Sequence, residues 1–182
     1  MKELVPSMPD SAACRVMTKA DLELVLQWRN HPEIRRYMYT THEITPEEHA
    51  LWYSKASVDP KKHLLIYESN NEPLGFVNIA QVNDGGVAEW GFYVSPDAGE
   101  GTGRGLGDAA LNYAFSTLRL HKLCGQALAT NERSIRFHER LGFQHEGRLR
   151  NQHFDGRTYI DVICFGLMSA EYQDRAQRTT YE

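Results

Sequence analysis

The stretch whose reading decides the fold is Gly101 to Gly107, G-T-G-R-G-L-G, set between the apolar segment Val87 to Val94, V-A-E-W-G-F-Y-V, and the helix-like segment Asp108 to Leu118. Four glycines alternating with Thr102, Arg104 and Leu106 leave few side chains between backbone and solvent. Main-chain N–H groups can therefore converge on an anion at the start of the following helix, where unpaired amides and the helix dipole act together. The stretch reads as a pyrophosphate cradle. It is not a P-loop, which needs Gly, four residues, then Gly-Lys-Ser or Gly-Lys-Thr, because no lysine lies in the run. A dinucleotide fingerprint can be laid over Gly105, Gly107 and Ala110, but Leu128, Ala129 and Thr130 occupy the region, about 20 positions on, where the acidic residue belongs. A surface loop that binds nothing is the remaining alternative, and the neighbouring segments argue against it.

Outward from the cradle the chain alternates strand and helix signals. Upstream, His63 to Glu68 is strand-like, Asn70 to Pro73 is turn chemistry, and Leu74 to Val82 alternates apolar and polar residues. The turn Asp84-Gly85-Gly86 leads into Val87 to Val94, so three antiparallel strands are predicted. Nearer the N-terminus, Cys14 to Met17 predicts a short strand, and Thr18 with Asp21 resembles a capping box ahead of the helical run Leu22, Val25, Leu26, Arg29. Pro32 opens a second short helix through Met38, and Thr45-Pro46-Glu47-Glu48 repeats the start signal for a helix through Trp52 and Tyr53. Downstream, Leu123 to Ala129 predicts a buried strand, and Asn131 caps a helix running to Leu141. His145 to Phe154 and Thr158 to Leu167 predict a last hairpin about Asp155-Gly156. The class is α+β: one domain over residues 14–170, a mixed, mostly antiparallel sheet of about seven strands with helices on both faces, an extension over residues 1–13 and a tail over residues 171–182.

Composition excludes several functions. A chain of 182 residues holds one domain with a proper core and is too short for two ordinary ones. The net charge of -4 lacks the basic excess of a nucleic-acid surface. Cys14, Cys124 and Cys164 are far apart and without C-x-x-C spacing, which indicates neither a disulfide framework nor a zinc site, and no metal is expected. Met1 to Ala13 lacks the apolar core of a signal peptide, and no run approaches the ~20 apolar residues that span a bilayer. A soluble, cytoplasmic protein without a membrane partner is expected; the oligomeric state stays open, a homodimer included.

The order A-E-W-G-F-Y-V-S-P (Ala88 to Pro96), T-G-R-G-L-G (Thr102 to Gly107) and N-E-R-S-I-R-F-H-E-R-L-G-F (Asn131 to Phe143) resembles the GNAT superfamily of acyl-CoA-dependent N-acyltransferases. The family's usual cradle is Gln or Arg, two residues, Gly, one residue, then Gly or Ala; Gly105 and Gly107 match, and Thr102 departs from it. The resemblance covers roughly Arg15 to Leu167 and implies acetyl-CoA as co-substrate. It assigns the cofactor to Thr102, Gly103, Arg104, Gly105, Leu106 and Gly107, the backbone of Tyr93 and Val94 to polarising the thioester carbonyl, and Asn131 with Ser134 to the pantetheine arm. Arg104 and Lys122 are candidate charge partners for the phosphates; for Arg104 the alternative is a solvated loop arginine.

Acyl transfer also needs a base for the amine and an acid for the thiolate. Glu89, beside Trp90 on the central strand, is the candidate base, its carboxylate disfavoured by aromatic surroundings; a purely structural glutamate is the alternative. His138 occupies the helix position where the superfamily commonly has a tyrosine and is the candidate acid; a histidine that only packs and hydrogen-bonds is the alternative.

The string W-R-N-H-P-E-I-R-R-Y-M (Trp28 to Met38), with His49, Trp52 and Y-I-D-V-I (Tyr159 to Ile163), is similar to the nucleotide-sugar N-acetyltransferases of pseudaminic acid synthesis. That similarity implies the 4-amino group of a UDP-linked amino-deoxy sugar as acceptor, as in modification of flagellin or a surface glycan. Trp28, Arg29, Asn30, Tyr37, His49, Trp52 and Trp90 are then the substrate-binding candidates, with Arg29, Arg35 and Arg36 as cations for a diphosphate and the rings as flat faces. A core-plus-solvated-face reading of the same mixture stays open. Acceptors in ribosomal-protein N-termini or polyamines are the competing enzymatic reading, and a CoA-binding sensor without catalysis, which Thr102 and His138 would permit, is the reading from another class.

Overall fold

The computed structural model describes residues 12–180. In chain order the elements are β1 (Ala13–Val16), a 3-10 turn (Lys19–Asp21), α1 (Leu22–Asn30), α2 (Pro32–Arg35), α3 (Pro46–Ala56), β2 (Lys62–Ser69) and β3 (Glu72–Gln81). Then follow β4 (Val87–Val94), α4 (Thr102–Asn112), a π-turn (Tyr113–Thr117), β5 (Lys122–Leu128), α5 (Glu132–Leu141), β6 (Gln144–Phe154), β7 (Tyr159–Met168) and α6 (Ser169–Thr180). The extension expected over residues 1–13 lies outside the described residues as far as residue 11, and Ala13 already belongs to β1.

The expected class holds: one seven-stranded mixed sheet in the order β1-β2-β3-β4-β5-β7-β6. Every neighbouring pair is antiparallel except β4 with β5. The last hairpin does not simply extend the sheet, because β7 inserts between β5 and β6. Helices cover both faces because β2 and β3 bury both of theirs. Leu64, Ile66 and Phe76 pack with Val25, Trp28 and Tyr53 of α1 and α3, while Leu65, Tyr67, Val77 and Ile79 pack with Leu106, Ala110 and Leu141 of α4 and α5. Burying a side chain of this kind contributes about 1.5–3 kcal/mol.

The start signals work as the sequence suggests. Thr45 Oγ1 accepts from the Glu48 amide at 3.1 Å while the Glu48 carboxylate accepts from the Thr45 amide at 2.8 Å, closing the capping box of α3. Asp21 completes the box at Thr18 and is also gripped by the Arg15 guanidinium at 2.7 Å, which holds its carboxyl at about 2.

Three boundaries differ. α2 stops at Arg35 rather than Met38, and residues 171–180, expected as a tail, are helical, with Tyr172 stacked on Phe115 at 5.0 Å. The larger difference is α4, which starts at Thr102, not after the glycine run. Glycine costs a helix about 1 kcal/mol per residue, so the tertiary contacts must favour it here. They do: a Cβ on Gly105 would overlap the Tyr67 hydroxyl, and one on Gly107 would lie 2.8 Å from Leu141 and 3.0 Å from Phe137. These two glycines let the helix axis approach β2 and α5 closely.

Candidate active site

β4 and β5 run parallel but stay paired only at Val87↔Lys122, Ala88↔Leu123 and Glu89↔Cys124. Past that point each strand keeps its outer neighbour, β3 or β7, and the two separate. The inner edge of β4 beyond Glu89 thus carries backbone groups without a ladder partner, a template for an extended ligand arm. The wedge opens into a cavity of about 390 Å³ lined by Trp90 to Tyr93 of β4, Cys124 to Leu128 of β5, and Asn131 and Ser134 of α5, and closed from the other side by Tyr37, Tyr39, Trp52 and Asn78.

The start of α4 stands beyond the end of β4. Gly101 is its N-cap with φ +84°, and a Cβ there would have nothing within 4 Å; at Gly103 it would meet only Phe137, at 3.9 Å. The amides of the first helical turn have no intrahelical acceptor, so an open backbone and a positive dipole end fit a pyrophosphate here. Gly103 lies in this turn, while the Arg104 side chain is largely exposed and lies 3.7 Å from Asp108, one turn further along the helix. Gly105 and Gly107 instead face the core, and Leu106 is fully buried in it, so the anion-facing part of the cradle is its first turn alone. The Thr102 hydroxyl donates to Gly99 O at 2.8 Å, which ties the loop before the helix. Lys122 is at the paired end of β5, held by Glu146 at 2.6 Å, rather than at the cradle.

Asn131 and Ser134 line the cavity as expected; Asn131 Oδ1 accepts from the Ser134 amide at 3.1 Å and caps α5. His138, one turn further on, does not reach it. Its ring is 1% exposed, stacked on Phe165 at 4.6 Å and edged by Trp90 and Phe143. Trp90 Nε1, which can only donate, contacts His138 Nε2 at 3.2 Å; Nε2 is therefore the acceptor, and the proton sits on Nδ1, 2.8 Å from the Ser134 carbonyl. Burial also pushes the histidine below its ordinary value. The expected thiolate acid is thus a neutral core histidine with no proton facing the cavity. Gly125 makes this possible, since any Cβ there would strike both His138 Nε2 and Trp90 Nε1.

Glu89 lines the cavity, but the pleat turns it away from Trp90 and leaves it exposed, so the aromatic seclusion expected for it is absent. Across the cavity Asn78 Oδ1 is buried without a hydrogen-bond partner. Tyr39 donates to Gln126 Oε1 at 2.7 Å, bridging the α2–α3 segment to β5. The backbones of Tyr93 and Val94 end β4 at the wide part of the wedge, and the Tyr93 ring packs on Phe76 at 5.1 Å, burial raising its phenol well above the usual range.

Of the substrate-binding candidates, Tyr37, Trp52 and Trp90 line the cavity. Trp28 does not: it is 5% exposed in the core beneath α1. Asn30 is a structural clamp, its amide donating to Ile44 O at 2.8 Å and accepting from Ile44 N at 2.9 Å. His49 is buried behind Trp52, stacked at 5.0 Å and pushed down by burial and then by Arg29. Arg29 turns inward, with Nη2 on Thr40 O at 3.1 Å and Nη1 buried without a partner. Met38, Phe76, Asn78, Cys124, Gly125 and Gln126 were not singled out by sequence; the period-two alternation of β3 and β5 could have placed Asn78 and Gln126 on the face of Glu89.

A splayed parallel pair leading to a glycine-opened helix start is the architecture of a CoA-dependent acyltransferase. The chain matches the acetyltransferase (GNAT) domain family over residues 14–144 and belongs to it. It is similar to the spermidine N(1)-acetyltransferase of Vibrio cholerae serotype O1, 24% identical over 173 residues, 93% of this chain and 100% of the relative. It is also similar to the acetyltransferase PseH of Campylobacter jejuni subsp. jejuni serotype O:23/36, 28% identical over 130 residues, 70% of this chain and 79% of the relative. The crystal structure of spermidine N-acetyltransferase from Vibrio cholerae in complex with CoA and spermine superposes with a TM-score of 0.82 at 25% identity, covering 89% of this chain and 98% of that one. The chain is an acetyl-CoA-dependent acyltransferase. Among the described residues no group of three His, Cys, Asp or Glu side chains is placed to hold a metal ion, and no helix is long and apolar enough to cross a membrane.

Proposed function

We propose that the chain transfers the acetyl group of acetyl-CoA to the 4-amino group of a UDP-linked amino-deoxy sugar, by direct attack in a ternary complex. The observation that carries this reading is the charge at the acceptor end. The cavity wall holds a single carboxylate, Glu89, and Arg36 stands in the adjoining groove, while Arg35 faces Glu43 and Arg29 is turned inward, outside the lining. A polyamine calls for several carboxylates; an anionic nucleotide sugar calls for guanidinium groups and flat rings, here Tyr37, Tyr39 and Trp52. The resemblance of Trp28 to Met38 to the nucleotide-sugar acetyltransferases supports the same acceptor. Likeness to the spermidine acetyltransferases over nearly the whole chain favours a polyamine as the second reading.

In this mechanism Asn78 Oδ1 accepts a hydrogen bond from the amine, which turns the nitrogen lone pair toward the thioester carbon. A backbone N–H on the unpaired edge of β4, that of Val94, faces the developing oxyanion, since Tyr93 is paired with Phe76 of β3. The nitrogen–carbon bond forms, the carbon–sulfur bond breaks, and its electron pair leaves on sulfur. Glu89 takes the amine proton through water, and solvent protonates the thiolate, since His138 Nε2 has no proton to give. Thiolate is a good leaving group, so this costs the reaction little.

The test is release of free CoA with UDP-4-amino-4,6-dideoxy-N-acetyl-β-L-altrosamine, spermidine and a ribosomal-protein N-terminal peptide. A kcat/KM for the nucleotide sugar about a hundredfold above either competitor is expected, the scale of discrimination a few directed contacts supply. A preference for spermidine would establish the polyamine reading, and no turnover with any amine would establish a CoA-binding module.

A further inference from the structure

A second groove, of about 470 Å³, adjoins the acceptor cavity and shares Tyr37 and Leu128 with it. One wall is the end of α2, with Arg36; the other is the tip of the β6–β7 hairpin, with His153 and Arg157, and Thr130 lies on the floor. Two remote segments thus point cations into one space. Both stay at the surface. Arg36 Nη1 stands 3.3 and 3.4 Å from the two Glu33 oxygens with both side chains more than half exposed, its Nη2 donates to the Tyr37 hydroxyl at 2.9 Å, and its guanidinium lies 4.7 Å from the centre of the Tyr37 ring. The ion pairs among the described residues leave Arg157 out. The one carboxylate in the groove, Asp155, is turned onto its own hairpin, where its Oδ1 accepts from the amides of Arg157 and Thr158, each at 2.8 Å. The other two arginines of the α1–α3 segment do not line the groove: Arg35 faces Glu43 at 3.5 Å and Arg29 is turned inward.

Planar guanidinium forks on opposite walls, with an imidazole on the Arg157 side, suit a diphosphate, whose two phosphoryl groups each take a separate fork. The connection through Tyr37 and Leu128 sets this groove beside the amine-accepting cavity, as the linkage of a sugar to its nucleotide requires. We propose that the Arg36–Arg157–His153 groove seats the diphosphate of the nucleotide-linked acceptor, making the β6–β7 hairpin tip the element that distinguishes nucleotide-bound from free amino sugar. The proposal rests on the nucleotide-sugar reading above.

The experiment is calorimetric titration of UDP into the full chain with CoA saturating, so that the α4 cradle is filled, together with turnover of the UDP-amino sugar. Arg157→Ala and Arg36→Ala are each expected to weaken UDP about tenfold, the scale of a lost charge-assisted bond, and to raise the acceptor KM alike while the acetyl-CoA KM moves less than about twofold. Arg157→Lys, which keeps the charge and loses the fork, is expected to fall between. UDP binding unchanged in both alanine variants overturns the seat even where the nucleotide sugar is a good substrate. Weakened UDP binding without turnover of the UDP-amino sugar upholds the seat and overturns the acceptor. No UDP binding to the wild-type chain overturns the seat outright. Circular dichroism of the variants, both altered at exposed positions, checks that the fold is retained.

Discussion

The two ends of the active cleft are built from different parts of the chain's chemistry. The donor end is backbone: amides at the first turn of α4, an unpaired edge of β4, and glycines that let helix and strand stand where they do. The acceptor end is side chain: Asn78, Glu89, Gln126, Tyr37, Tyr39 and Trp52, with cations set outside. A site made of backbone tolerates a change of side chain as long as the path of the chain survives, and fails when that path is blocked. A site made of side chains behaves in the opposite way.

The largest expected effect tests that asymmetry at Gly105. Valine there drives into the buried Tyr67 hydroxyl and should destabilise the fold by about 3 kcal/mol, lowering the melting temperature by about 6–12 °C. A folded Gly105→Val protein of normal stability and weakened acetyl-CoA binding would instead make Gly105 a cofactor contact. Next comes Gly103→Pro, which removes an amide in a helical turn where proline is tolerated. Acetyl-CoA affinity should drop about tenfold or more with the melting temperature nearly retained, as read by calorimetry and thermal denaturation.

His138→Phe sharpens the comparison further. If the histidine only packs, kcat should stay within about threefold, whereas loss of a general acid would cost about 10²- to 10⁴-fold. Stability should respond more than rate, by about 1–3 kcal/mol, because the Trp90 N–H loses its buried acceptor. His138, His49 and His63 are all pushed down by burial. Below the ordinary histidine value of about 6.5 the unfolded chain then binds more protons than the folded one, so stability is complete above that pH and is lost as pH falls through the window beneath it. Melting temperatures from pH 7.5 down to 5.5 should decline, and less steeply in His138→Phe; an unchanged slope would remove His138 from the cause. The smallest effect is expected for Lys122→Ala, whose acetyl-CoA KM should stay within about twofold, since the side chain is spent on Glu146 at the closed end of the wedge.

The same asymmetry governs what could be read in advance. Strand alternation, two capping boxes and the glycine run are local signals, and they located most elements and the open first turn of α4. What the glycines face is not local: Gly103 opens to solvent while Gly105 and Gly107 open onto Tyr67, Leu141 and Phe137, residues brought in by other elements. Aromatic and polar residues in one string likewise parted by burial, Trp28 going to the core, Asn30 to a clamp on Ile44 and Tyr37 to the cavity. His138 shows the limit most directly. Spacing placed it one turn beyond Ser134, but its protonation follows from an indole donor 48 positions away.

The strand order has a consequence in time. β5 lies beside β7, not β6, so the half of the sheet that carries the wedge gains its supporting neighbour only from residues 159–168, synthesised after every other strand of the sheet. Until then β5 offers two open edges, one toward the loosely joined β4 and one toward empty solvent, and the acyl-binding wedge has a wall without backing. A nascent chain of this design holds its N-terminal meander early and completes its catalytic half in a single late step, the period in which aggregation or capture by a chaperone is most favoured.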